Sequence, residues 1–118
     1  MYGVPKNLDL TNFIGKTLIQ IPLGEFDIQF RFQPEGWISV EGEWELVDPD
    51  GAVVDRSMEN ADRPAYQVHR LLGQEVSAFT VDAPRSFALK FANGLVLRVI
   101  DDSTQYESFS IHPGNIYV

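Results

Sequence analysis

Carboxylates are the residues of this chain most able to do chemistry. Seventeen Asp and Glu stand against nine Lys and Arg. Eight of the acids fall between Glu41 and Asp62: Glu41, Glu43, Glu45, Asp48, Asp50, Asp55, Glu59 and Asp62, with Arg56 the one basic residue among them. Glu41, Glu43 and Glu45 recur at period two, so on an extended strand they share one face with neighbours about 7 Å apart. Unpaired carboxylates at that spacing repel each other mildly and attract a cation or a basic protein surface. The plain alternative is a solvated strand face that keeps an edge from aggregating. No metal is expected there, because the spacing supplies neither an EF-hand loop nor a nearby histidine.

A second candidate lies in the run Asp101 to Phe109, where Tyr106 and Ser108 take one face of a strand and Glu107 falls with Phe109 and Ile111 on the apolar one. A carboxylate among aromatics is costly unless it accepts hydrogen bonds or meets a basic side chain such as Arg31, Arg85 or Arg98. Glu107 therefore reads first as a buried acid locking the fold, and second as the acid of a pocket. No second catalytic group can be assigned to it, and no catalytic residue or cofactor is expected in the chain.

His69 and His112 stand far apart, without the close partners that metal motifs show. No nucleophile elbow supports a Ser-His-Asp hydrolase. The glycines sit singly, so a phosphate-cradling loop is missing. Trp37 and Trp44 lie on strands in apolar company and read as core or its margin. Either could serve as an aromatic anchor for a partner, Trp37 above all if exposed beside Phe26 or Tyr66.

The elements that must position these residues come in two related series. Ile14-Gly15 recurs as Leu72-Gly73 and Gly36 as Gly94, both after 58 positions. Phe30-x-Phe32 matches Leu89-x-Phe91, with a turn of three residues (Gln33 to Glu35) against two (Ala92 and Asn93). Thr11 can cap a helical stub stopped by Gly15, and Pro64 through Leu72 has helical spacing with Gly73 as its stop. Strands are expected at 17–21, 27–32, 52–54, 76–81, 86–91, 95–100 and 106–111, from alternation and the turn signals between them. A long strand is expected to carry Ile38, Val40, Trp44 and Leu46 inward and Ser39, Glu41, Glu43 and Glu45 outward. Gly42 marks a bulge, a bend or a close approach on it. Asp48-Pro49-Asp50-Gly51 follows the type I turn recipe.

The fold class is therefore mainly β, with α+β at the margin. One domain over 1–118 holds two β-meander units, about 11–55 and 64–111, joined as an antiparallel sheet, sandwich or partly open barrel. A chain of 118 residues without cysteine must hold its core by apolar burial and backbone hydrogen bonding. No apolar run approaches the roughly 18 to 20 residues that span a bilayer, and the start lacks signal-peptide order, so a cytoplasmic setting is expected. A net charge of −8 disfavours nucleic acid and anionic membrane and favours a basic partner.

With the repeated motif, Glu41-Gly42-Glu43-Trp44-Glu45-Leu46 and the ending Tyr106-Glu107-Ser108, the chain resembles a family of small uncharacterised bacterial proteins. Its members read LIG, then an acidic EG-x-W strand, a second LLG and a closing YES strand. Here the first motif reads Phe13-Ile14-Gly15. The resemblance covers nearly the whole chain and implies a fold and a bacterial cytoplasmic setting, in a family with no assigned enzymatic activity. Some relatives are similar to immunity proteins of toxin systems. That likeness implies a protein-binding role against a basic toxin, and the acidic strand and the tryptophans read above put Glu41, Glu43, Glu45, Asp48, Asp50, Trp37 and Trp44 at the expected contact. The alternatives are a small-molecule or accessory domain with a pocket between the units, which could include Glu107, and a homodimer through a sheet edge.

Overall fold

Alternation of apolar and polar residues yields strands close to where it predicts them. A computed structural model describes residues 4–24, 27–57, 67–101, 109–112 and 116–117. Its strands are β1 (Thr17–Gln20), β2 (Ile28–Gln33), β3 (Trp37–Val40), β4 (Glu43–Val47), β5 (Val53–Arg56), β6 (Val76–Asp82), β7 (Ser86–Phe91), β8 (Val96–Ile100), β9 (Phe109–His112) and β10 (Ile116–Tyr117). Ile28, Phe30 and Phe32 of β2 are buried while Gln29 and Arg31 between them are half-buried, the signature of one inward and one outward face.

Ten strands form two antiparallel five-stranded sheets, ordered β1-β2-β3-β9-β10 and β5-β4-β8-β7-β6. They pack as a sandwich, and at one corner they are joined where Thr17 bridges to Glu75. The first repeat lays β1, β2 and β3 into the first sheet and then sends β4 and β5 into the second. The second repeat does the reverse, with β6, β7 and β8 in the second sheet and β9 and β10 in the first. Each sheet is thus completed by the other repeat, through β3 against β9 and β8 against β4. One core results, with Phe30, Trp44, Leu46, Phe87, Leu89, Leu97 and Phe109 among its buried side chains. Phe30 meets Trp44 edge-on and Phe87 meets Phe109 edge-on, each contact reaching across the sandwich.

The repeat is visible in individual hydrogen bonds. Gly15 N–H donates to Val76 O at 2.9 Å and Gly73 N–H to Leu18 O at 2.8 Å, while Leu18 N–H donates to Gln74 O at 3.0 Å and Val76 N–H to Lys16 O at 2.9 Å. Adding 58 to a residue of the first repeat gives its counterpart in every bond, so the four bonds are reciprocal about a local two-fold axis. Gly15 and Gly73 have φ of 89° and 82°, a left-handed conformation that costs other residues energy. A β-bulge between Leu18 and Gln20 is matched by one between Val76 and Ala78.

Several expectations are corrected. The two hairpin turns are equal in length: Phe32 N–H bonds Gly36 O and Phe91 N–H bonds Leu95 O, so each encloses three residues. Gly94 is the third residue of its turn, the left-handed position of a three-residue loop. Phe30 pairs with Ile38 and Leu89 with Leu97, so in these hairpins matched residues lie 59 apart rather than 58. The long strand is two strands in different sheets. The chain bends at Glu41 and Gly42, while Ile38, Val40, Trp44 and Leu46 all still face the core.

Of the helix expected over 64–72, residues 64–66 lie outside the described ones, and the remainder holds a 3₁₀ turn, Val68–Leu71, matching Thr11–Phe13 in the first repeat. That one turn buries Val68 and Leu71 before the chain enters β6. Thr11 is not the cap. It is the first residue of its turn, and its N–H and hydroxyl both donate to the Asp9 carboxylate.

Candidate functional site

The acidic segment does not form one continuous face. Glu41 is exposed in the bend between the sheets and Glu43 is exposed at the start of β4, whereas Glu45 is half-buried and accepts from Arg98 Nη1 across β4 and β8. The three therefore differ in role because the bend at Glu41 and Gly42 takes the first off the strand, and register takes the third to a guanidinium. Asp48 is absorbed by its turn: its carboxylate accepts the N–H groups of Asp50 and Ala52, each at 2.9 Å. Asp50 is exposed at the tip of the β4–β5 hairpin. Asp55 is buried at 3 % exposure and accepts N–H groups from Arg56 at 2.9 Å and Gln67 at 2.6 Å. It ties the start of the second repeat to the end of the first.

Trp44 is 2 % exposed and belongs to the core, so it is no contact residue. Trp37 is half-buried on the outer face of the first sheet, stacked on His112 with ring centroids 4.5 Å apart and with Arg31 5.4 Å from its ring. The register places Arg31, Trp37 and His112 side by side on β2, β3 and β9. Trp37 occupies the other end of β3 from Glu41, so it and the acidic bend do not form one patch. Glu59, Asp62, Phe26, Tyr66 and Glu107 lie outside the described residues.

The rest of that outer face is held together by side chains. Asp27 Oδ2 accepts from Gln29 Nε2 at 3.4 Å and from Ser39 Oγ at 3.3 Å, and Arg31 Nη2 donates to Gln29 Oε1 at 2.8 Å. The second sheet's outer face is different. Its register sets Glu45, Arg98, Ala88 and Thr80 in one row across β4, β8, β7 and β6, and Glu43, Ile100, Ser86 and Asp82 in the next. Between the rows, over the short side chains of β7, lies an open hollow of about 380 Å³.

Arg98, Ser86 and Ala88 did not stand out in the sequence as functional. The signal was present, since Ser86 and Ala88 occupy the outward positions of a strand whose inward ones are Phe87 and Leu89, but their neighbours across the sheet depend on register. No family model, curated protein or solved structure matches the chain. Among the described residues no group of three or more His, Cys, Asp or Glu is placed to share a metal ion. No described helix is long and apolar enough to cross a membrane. The Asp9 carboxyl is held below its usual range, first by the Thr11 hydroxyl and then by the Thr11 N–H.

Proposed function

We infer that this chain is a non-enzymatic protein-binding module of the immunity-protein kind, occluding a basic partner with the edge of its second sheet. One observation carries the reading: in a chain of net charge −8, Glu41, Glu43 and Asp50 are exposed along the β4–β5 hairpin and the bend that leads into it. Among the described strands, β5 is at the edge of that sheet. Exposed carboxylates along an edge raise the encounter rate with a positively charged surface, and steering of this kind falls as salt rises. Glu45, half-buried against Arg98, and Trp44, buried in the core, support the hairpin from within.

The test is co-purification of the partner from the source cell, followed by association kinetics across a salt series. The triple variant Glu41→Gln, Glu43→Gln, Asp50→Asn should slow association several-fold, at about the level seen for rim charges, and flatten its salt dependence. Association that ignores both salt and the triple change removes this edge as the contact.

A further inference from the structure

The two repeats serve as each other's control. With matched residues 59 apart, Asp27 corresponds to Ser86, Gln29 to Ala88 and Ser39 to Arg98. In the first sheet these positions are filled by the network that Asp27, Gln29 and Ser39 build. In the second sheet β7 offers only a methyl and a hydroxymethyl group, and the hollow opens above them. Because both sheets follow one backbone plan, the hollow arises from side-chain choice and not from the fold.

Its lining carries both signs of charge. Arg98 and Ile100 of β8 form one wall, Thr80 and Asp82 of β6 the other, and Arg85 in the turn before β7 closes one end. Glu45 stands behind Arg98 and accepts from one of its guanidinium nitrogens, which orients a group with five N–H donors. A simple anion placed here would meet Asp82 and the overall negative field as well as the two arginines. A simple cation would meet Arg85 and Arg98 as well as Asp82. A ligand with a charge of each sign at opposite ends suits both walls.

Length narrows the class. β6 and β8 flank β7 and stand two strand spacings apart, about 9.5 Å. The charged ends of an extended dipeptide lie about 7 Å apart, a span that side chains leaning in from both walls can bridge, whereas the charges of a single amino acid lie too close together. The geometry points to this hollow as a binding site for a zwitterionic ligand of dipeptide length, its carboxylate on Arg98 and Arg85 and its ammonium on Asp82. Ser86 and Thr80 supply hydroxyls to the polar atoms between, and Ile100 an apolar flank.

The experiment is an NMR titration of the whole chain with L-alanyl-L-alanine, with its N-acetyl form as the anion and its C-terminal amide as the cation. Saturable amide shifts are expected at Thr80, Asp82, Ser86, Ala88 and Arg98. Both blocked forms should bind at least about tenfold more weakly, the loss that one charged hydrogen bond carries. Ala88→Gln, which installs the residue of the matching position in the first sheet, should abolish the shifts without changing the thermal midpoint. Asp82→Asn, at an exposed position, should make the dipeptide and its acetylated form bind alike. Absence of saturable shifts, or equal binding of the blocked forms to the unaltered protein, overturns the assignment. The readout needs no protein partner, so it fails or succeeds separately from the occlusion reading.

Discussion

On the first sheet, Asp27, Gln29, Arg31 and Ser39 bond one another and Trp37 lies between Arg31 and His112. At the matching positions of the second sheet Ser86, Ala88, Lys90, Arg98 and Val96 make no such network, and the surface is hollow where the other is filled. The inward positions tell the opposite story. Phe30 and Leu89, Ile28 and Phe87, and Ile38 and Leu97 are all buried and all apolar. A shared core restrains both repeats, because their inward side chains form one buried cluster in which a change of volume is felt. The outer faces meet solvent, so each was free to acquire its own chemistry.

The largest effects should come from breaking the shared core. Phe30→Ala should cost about 3–5 kcal/mol and Leu89→Ala about 2–5 kcal/mol, read by denaturant unfolding of each variant. If either is tolerated without loss, the two inner faces do not carry comparable burdens. A smaller and more symmetric effect is expected at the local two-fold. Gly15→Ala and Gly73→Ala should each lose about 1–2 kcal/mol from left-handed strain. Neither added methyl meets a close neighbour, the nearest atom being Glu75 Oε1 at 3.8 Å from the Gly15 position. A large difference between the two would break the equivalence that the reciprocal hydrogen bonds imply.

The smallest effect separates the repeats. Asp9 anchors the first helical turn, while the residue 58 positions on is Gln67, which does not ionise. The Asp9 carboxyl is depressed in the folded protein, so its contribution is present above the ordinary carboxylate range and fades as pH falls through its folded value. Asp9→Asn should therefore lower the thermal midpoint slightly near neutrality and leave it unchanged in acid. An equal loss at both pH values would show that the carboxylate's charge is not what holds the turn.

Much of this was legible in the chain. Clean alternation in 27–32 identified a strand and its inward face, and the repeated glycines announced two copies of one unit. The acidic run was legible as composition but not as a surface. Glu45 meets Arg98, 53 residues away, and no local pattern reveals that pairing. The single turn at Val68–Leu71 was overread as a helix, since helical spacing over so few residues also fits one 3₁₀ turn.

Residue order alone determined a cysteine-free β protein of two related halves, with its apolar face, its glycine turns and its net charge of −8. Tertiary structure alone decided that the halves exchange strands between two sheets, that Glu45 meets Arg98, and that Ser86 and Ala88 floor a charged hollow. Periodicity is a local property set by the geometry of the strand, whereas cross-strand neighbours depend on register between segments far apart in sequence.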